Sequence, residues 1–292
     1  MEPVTFSYIK TNGITLHTAV AGPEEGPLVI LLHGFPEFWF GWRNQINVLA
    51  KAGYRVVVPD QRGYNVSDKP VGLHHYMIDV LSEDVIGIIK HFKREKASII
   101  GHDWGGAVGW HLAATNGQYV ESLIPINMPH PTAAEKILEK CPSQLIRSLY
   151  ILFFQIPYFS EEALMAYDYN LLEKSFFSSI RPDLFTGTVL DRYKKSWAQP
   201  GTMTAMLSWY RAIRIGSLKQ VPRTKLSVPI TMIWGRHDRF ISVTLAKESV
   251  DLCENGKFIL IDEATHWVHH EQSALVNQHI LHHLKEIKPK RG

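Results

Sequence analysis

Short, unbroken aliphatic runs recur along the chain: Leu28-Val-Ile-Leu-Leu32, Arg55-Val-Val-Val-Pro59, Ala97-Ser-Ile-Ile100, Leu123-Ile-Pro-Ile126, Ile230-Thr-Met-Ile-Trp234 and Lys257-Phe-Ile-Leu-Ile261. A strand covered on both faces by helices loses the polar alternation of a half-exposed strand, so each run reads as a strand of a parallel sheet. Longer stretches between them predict helices over about 42–52, 77–93, 242–252 and 273–287. Strand and helix in turn imply βαβ units. Ahead of this rhythm, 6–11 and 14–21 flank Asn12-Gly13, the turn dipeptide of a two-residue hairpin.

The rhythm stops between Pro131 and Val221 and resumes after Pro222. The interruption carries no buried-strand pattern and no repeat. It is rich in aromatics and helix formers, and 149–154, 161–172 and 202–215 are predicted helices. The organisation expected is an α/β core domain from 1–130 and 222–292, with a mostly parallel sheet of about eight strands, and a helical insertion over 131–221. Open α/β sheets bind ligands beyond the carboxyl ends of their strands, so an insertion there is expected to act as a cap.

Composition narrows the partners. The 292 residues are 45% hydrophobic and 20% charged, ample for a full core. A net charge of +3, dispersed except at the tail 285–292, argues against nucleic acid or a membrane surface. Met1-Glu-Pro-Val-Thr5 lacks the basic and apolar regions of a secretory signal, and no apolar run approaches the ~20 residues that span a bilayer. Cys141 and Cys253 are isolated and read as reduced thiols, so a cytoplasmic location is expected. The 15 histidines include His266, His269, His270, His279, His282 and His283, with no acidic or thiol partner at ligand spacing. Most are read as surface residues, and no metal is expected.

Candidate chemistry begins at Gly101-His-Asp-Trp-Gly105, between the strand at 97–100 and a helix to about Asn116. The pattern is Gly-x-nucleophile-x-Gly, in which glycines permit a strained turn that lifts one side chain off the sheet. That side chain is the carboxylate of Asp103, which can attack carbon and form an ester. A helix N-cap is the plainer reading of the same Asp. Asp238 and His266 each follow a later predicted strand. Singly they read as a loop carboxylate and a loop histidine; together with Asp103 they put three polar groups at three strand ends, where an acid can orient an imidazole base.

With His33-Gly-Phe-Pro36, Gly101-His-Asp-Trp-Gly-Gly106, Asp238 and His266-Trp267, the chain resembles the soluble, bacterial type of α/β-hydrolase-fold epoxide hydrolase over nearly its whole length. The resemblance implies that Asp103 attacks an epoxide, that water activated by His266 and Asp238 hydrolyses the ester, and that the backbone N–H groups of Phe35 and Trp104 form an oxyanion hole. It makes His33, Gly34, Pro36, Gly101 and Gly105 structural motif positions; His33 to Pro36 also reads as an ordinary turn with a cis Pro36. It assigns oxirane activation to Tyr150 and Tyr210. Tyr210 matches together with its neighbours in Ser208-Trp-Tyr-Arg211, whereas Tyr150 rests on spacing, with Tyr158, Tyr167 and Tyr169 close by. No cofactor is implied; the partners are a small epoxide and water, and the molecule is a monomer or homodimer. Phe153, Phe154, Phe159, Phe176, Met203 and Met206 suggest a hydrophobic alkyl or aryl substrate, and equally read as cap core.

Two positions depart from the family pattern: Asn65, where such loops often place glycine, and the aliphatic stretch around Tyr150. The rivals are a haloalkane dehalogenase, which shares the Asp nucleophile, and a non-catalytic ligand-binding relative. A serine esterase is excluded by the absence of serine at the elbow.

Overall fold

The computed structural model describes residues 4–133, 142–177, 184–218 and 225–287. Its strands are β1 (Thr5–Thr11), β2 (Ile14–Ala21), β3 (Leu28–Leu32), β4 (Arg55–Pro59), β5 (Ala97–His102), β6 (Val120–Ile126), β7 (Ile230–Gly235) and β8 (Gly256–Ile261). They form one eight-stranded sheet in the order β1-β2-β4-β3-β5-β6-β7-β8. Only β2 runs antiparallel to its neighbours; every other pairing is parallel. The hairpin turn falls on Asn12 and Gly13, both with positive φ (44° and 77°), as a two-residue loop that follows the strand twist requires.

The aliphatic runs are strands buried on both faces, and their period of two divides them between two cores. In β4, Val57 enters one core while Val56 and Val58 enter the other. The helices α1 (Arg43–Lys51) and α11 (Ser273–Glu286) cover one face, closing over Ile46, Leu49, Val276 and Ile280. The opposite face is covered by α2 (Ile78–His91) and α3 (Trp104–Thr115), through Ile86, Ile89, Val108 and Leu112. Each such side chain contributes roughly 1.5–3 kcal/mol of burial, so the two layers hold β5 rigidly at the centre.

Between β6 and β7 the described residues are helical: α4 (Pro142–Arg147), α5 (Leu149–Phe154), α6 (Phe159–Phe177), α7 (Gly187–Trp197) and α8 (Thr202–Arg211). They are fastened over the carboxyl ends of the strands by specific polar contacts. The Trp197 indole donates to Pro36 O at 2.7 Å, the Trp209 indole to Arg62 O at 3.0 Å, and Arg147 to Asp238 O.

Three differences from the sequence reading have physical causes. The helix expected over 161–172 is broken, because Ala166 to Tyr169 leave helical dihedrals; Tyr167 stands in solvent and Asp168 pairs with Lys194. The unanticipated α7 does carry helical spacing, at Leu190, Tyr193 and Trp197, but amid charged neighbours that dilute it. Residues α9 (Thr244–Val250) and α10 (Val268–Glu271) are also short, and α10 lay hidden behind His266. Asn65 takes φ 47°, a conformation asparagine tolerates, and its amide donates to Asp60 Oδ2 at 2.7 Å, which accounts for the departure from glycine. Cys253 is buried, and burial pushes its thiol up to about 11, so it stays protonated; Cys141 lies outside the described residues.

The joint between α3 and β3 is close at Gly105, where an added Cβ would stand 2.1 Å from Leu32 O. That oxygen is backbone in a central strand, so it cannot yield cheaply. Gly105→Ala is expected to cost about 1–3 kcal/mol or to prevent folding, read as the urea midpoint. An unchanged midpoint would show that the elbow is not packed this closely.

Candidate active site

Asp103 is the residue on which the elbow turns. Its own backbone is in the left-handed half of dihedral space (φ 49°, ψ −125°), between the last residue of β5 and the first of α3. The flanking glycines do not carry this strain, which is of order 1–3 kcal/mol; they make room. A Cβ on Gly101 would meet Gly105 O at 2.3 Å, and one on Gly34 would meet Asp103 Cβ at 2.4 Å. Asp103 stands at the N-cap position of α3, but its side chain makes no capping bond there. Its carboxylate faces a different donor: the Phe35 N–H, 3.0 Å from Oδ1. Trp104 holds the first position of α3, where a helical N–H has no partner within the helix.

The turn carrying Phe35 is held from behind. The Phe35–Pro36 peptide is cis. His33 lies between two loops: its Nε2 accepts from the Gln61 N–H at 3.0 Å, so the ring proton is on Nδ1, which donates to Gly34 O at 3.1 Å. Burial lowers the His33 pKa, in keeping with that neutral tautomer.

His266 and Asp238 meet as their chain order suggests. His266 Nδ1 lies 2.8 Å from Asp238 Oδ2. His266 Nε2 lies 3.6 Å from Asp103 Oδ2, within ion-pair range and too long for a direct hydrogen bond. Asp238 is fully engaged: Oδ1 accepts from the Phe240 and Ile241 N–H groups at 2.8 and 3.0 Å, and Oδ2 also accepts from Asn127 Nδ2 at 2.7 Å. The Asn127 amide cannot be the other way round, because its Oδ1 accepts from the Gly235 N–H. Burial works to lower the His266 pKa, but the Asp238 charge, reinforced by Asp103, overrides it and pushes the imidazole up to about 10. Burial works to raise the Asp103 pKa, and His266 above all turns it the other way, leaving Asp103 below the ordinary carboxylate value.

Across from Asp103 stand two phenols. The Tyr210 ring is edge-on to Trp104 at 5.1 Å and to Phe35 at 5.3 Å, and Tyr150 is 5.9 Å from Tyr210. Burial raises the pKa of each; the Asp103 charge adds to Tyr150, and Tyr150 and then Asp103 add to Tyr210. Both therefore remain protonated donors. Tyr158 and Tyr167 are exposed and Tyr169 packs on Trp197; of the four, Tyr150 is the one that lines the cavity with Asp103.

Asp103, Trp104, Tyr150 and Tyr210 share a cavity of about 430 Å³ with a largely apolar wall that includes Met128, Leu149, Ile213, Phe240 and Leu245. The residues suggested as substrate contacts by the sequence are not among its lining. Phe154, Met203 and Met206 are buried in the core and Phe159 is exposed; the Phe176 side chain lies outside the described set. Phe154, Met203 and Met206 belong instead to the large core cluster.

The histidine reading needs correction. His33, His102, His111, His130, His266, His269, His270 and His283 are buried. Each has partners that sequence spacing hides, such as Ser82 for His111 and Thr231 for His283. Three converge on Glu37, whose Oε1 faces His270 Nε2 at 2.7 Å and whose Oε2 faces His269 Nε2 at 3.2 Å and His102 Nδ1 at 3.4 Å. Glu37, His269 and His270 have the proximity of metal ligands. The proton positions oppose that use. Arg43, which can only donate, lies 3.3 Å from His270 Nδ1, so the ring proton sits on Nε2 and is given to Glu37. Burial would raise the Glu37 pKa, but His270, His269 and His102 hold it well below the usual carboxylate range, as an anion.

Asn127, Glu37 and Phe240 are the neighbours of the site that sequence reasoning did not single out. Glu37 follows the motif turn directly and Asn127 follows β6, so their positions at strand ends were a usable signal.

Residues 27–273 match the family model of the α/β hydrolase fold. The AB hydrolase superfamily protein YfhM of Bacillus subtilis is 55% identical over 98% of this chain and 99% of its own length. Human epoxide hydrolase 4 is 35% identical, covering 97% of this chain and 79% of its own. An epoxide hydrolase from Bacillus megaterium, solved in complex with an inhibitor, superposes with a TM-score of 0.89 at 31% identity, over 96% of this chain and 100% of that one. These are α/β-hydrolase-fold proteins, and the eight-stranded, mostly parallel sheet with helices on both faces described above is the fold of that class. Within it, the chain belongs to the epoxide hydrolase family.

The electrostatics make a direct prediction. In the free protein the His266 ring is expected to titrate at about 10 by NMR. Asp103→Asn should lower that value by about one unit or more, since an opposite charge is lost. A wild-type titration near the ordinary histidine value would refute this arrangement of charge.

Proposed function

We propose that the protein is a cofactor-independent epoxide hydrolase that converts hydrophobic alkyl or aryl epoxides to vicinal diols. The observation that carries the proposal is the convergence of one carboxylate and two phenols on a single apolar cavity, with an imidazole–carboxylate pair behind. Asp103 attacks an oxirane carbon and forms an ester. The C–O bond that breaks leaves an alkoxide, which Tyr150 and Tyr210 hydrogen-bond and protonate. Water then adds to the ester carbonyl carbon, giving its proton to His266. The resulting oxyanion is held by the Phe35 and Trp104 N–H groups. Its collapse breaks the ester C–O bond, and His266 gives its proton to the departing alkoxide to complete the diol. Asp103, re-formed as the acid, returns a proton to His266.

The same charges suggest how His266 changes role. Esterification neutralises Asp103, one of the two carboxylates that keep the imidazole protonated. Burial then weighs more heavily, the imidazolium proton passes through solvent to the phenolate left by ring opening, and the ring becomes a base just when one is needed. In this reading residues 131–221 serve as the cap, contributing both phenols, and 1–130 with 222–292 serve as the core.

The indoles favour an epoxide over a haloalkane. Halide needs N–H donors, yet Trp110, Trp197 and Trp209 spend theirs on backbone carbonyls. Among the described residues, Trp104 is the only tryptophan lining the cavity. The Bacillus megaterium relative has also been solved with its product, a naphthyloxy-propane-1,2-diol, at TM-score 0.88 and 31% identity. An aryl diol in that relative supports an aryl epoxide here.

Attack by Asp103 needs no base, whereas activating water does. His266→Gln is therefore expected to form the ester and fail to hydrolyse it, so mass spectrometry should find substrate mass on the peptide bearing Asp103. An adduct reproducibly on another residue would sink the mechanism.

Tyr150→Phe or Tyr210→Phe should slow alkylation by roughly 30- to 1,000-fold, the effect of losing one donor worth about 2–4 kcal/mol. The double replacement should be nearly inactive in single-turnover measurements. Wild-type ring opening by the double variant would remove the phenols from the mechanism, and halide release from haloalkanes outpacing diol formation would transfer the protein to the dehalogenases.

A further inference from the structure

The cavity wall carries one polar pair that the reaction does not use. Gln144, in α4, and Ser148, just beyond it, both line the cavity that holds Asp103. The Gln144 side chain is fully committed. Its Oε1 accepts from the Ser242 N–H at 2.9 Å, and a backbone N–H can only donate, so the amide has one orientation. Its Nε2 then gives one hydrogen to Phe240 O at 2.9 Å and the other to Ser148 Oγ at 3.1 Å. Ser148 is thus an acceptor in that bond, and its backbone N–H is already given to Gln144 O at 3.0 Å. The hydroxyl hydrogen has no acceptor among the described residues. Apart from Asp103, Tyr150 and Tyr210, to which the reaction is assigned, and Gln144, the side chains lining the cavity with it carry no oxygen.

A donor left over on an apolar wall is a selectivity element, because a ligand group that accepts from it gains what a hydrocarbon cannot. The acceptor is uncharged: among the described residues no Lys or Arg lines this cavity, and Asp103 already supplies a negative charge. We infer that Ser148, oriented by Gln144, is a binding subsite for an ether or carbonyl oxygen in the substrate's tail. The protein accordingly selects oxygen-bearing hydrophobic epoxides, such as aryl glycidyl ethers, over their hydrocarbon counterparts. This rests on the epoxide hydrolase reading and names the substrate class within it.

The test uses pairs that differ only by oxygen against methylene. Phenyl glycidyl ether is paired with 4-phenyl-1,2-epoxybutane, and benzyl glycidyl ether with 5-phenyl-1,2-epoxypentane, which moves the oxygen one atom along the tail. Wild type is expected to favour the ether of at least one pair by about 3- to 10-fold in kcat/KM, expressed in KM. Ser148→Ala should bring that ratio to about one, while Ser148→Thr, which keeps the hydroxyl, should retain most of it. Equal treatment of both members of every pair by wild type, or a ratio that survives Ser148→Ala, would overturn the subsite. Calorimetry with unreactive mimics of the first pair, phenoxyacetamide and 3-phenylpropanamide, reads the same preference without turnover. Oxygen-selective binding lost in Ser148→Ala, but with no epoxide hydrolysed, would uphold the subsite and sink the proposed reaction. Diol formation with no oxygen preference in rate or binding would do the reverse.

Discussion

A single buried negative charge, on Asp103, governs the arrangement around it. A carboxylate taken out of water must be stabilised by its surroundings or become neutral, and here it stays ionised. The donors that keep it so are the Phe35 N–H on one oxygen and the charged His266 facing the other. Each of these depends on more distant structure. Phe35 is positioned by a turn whose His33 bridges to the loop after β4, and His266 by a carboxylate held from β6 and β7 by Asn127 and two backbone N–H groups. The strained backbone of Asp103 survives because the sheet and α3, packed through two full cores, over-determine it.

Behind that charge lies a second, on Glu37, close to the first through His102. The His102 ring is 4.7 Å from His266, and its Nε2 donates to the His266 carbonyl at 2.9 Å. Glu37 also accepts from the Tyr193 hydroxyl of α7, at 2.7 Å, so it joins the helices between β6 and β7 to the core beneath the site. Removing either the carboxylate or one of its donors would leave a buried polar group unpaired, which costs more than the bond itself contributes. His269 and His270 thus serve as hydrogen-bond partners of Glu37, as His266 does of Asp238.

Much of this was legible in the chain because it depends on local periodicity and local turns. Double-sided burial makes a strand read as a continuous aliphatic run, so the sheet, the hairpin at Asn12-Gly13 and the helical interruption after β6 could all be recognised. Asp103, Asp238 and His266 were legible for a related reason: in a parallel sheet each strand's carboxyl end opens on the same edge, so residues far apart in sequence become neighbours once the strands are identified. Resemblance added the tyrosines and the Phe35 turn.

What the sequence could not determine is which side chains face one another across helices that share no ladder. The cavity wall includes Met128, Leu149, Ile213 and Phe240, while Phe154, Met203 and Met206, which had seemed suited to a substrate, are buried in the core instead. Hydrophobicity marks a residue as inward-facing, but a helix with two inward faces leaves open which one meets solvent-sized space. The buried histidines were misjudged for the same reason: their partners, Glu37 above all, lie hundreds of residues away for His269 and His270, and no spacing rule reaches that far. Periodicity and strand ends therefore determined the fold and the place of the chemistry, and only tertiary packing decided the shape of the pocket and the protonation of its neighbours, because those depend on contacts between segments that have no fixed register with each other.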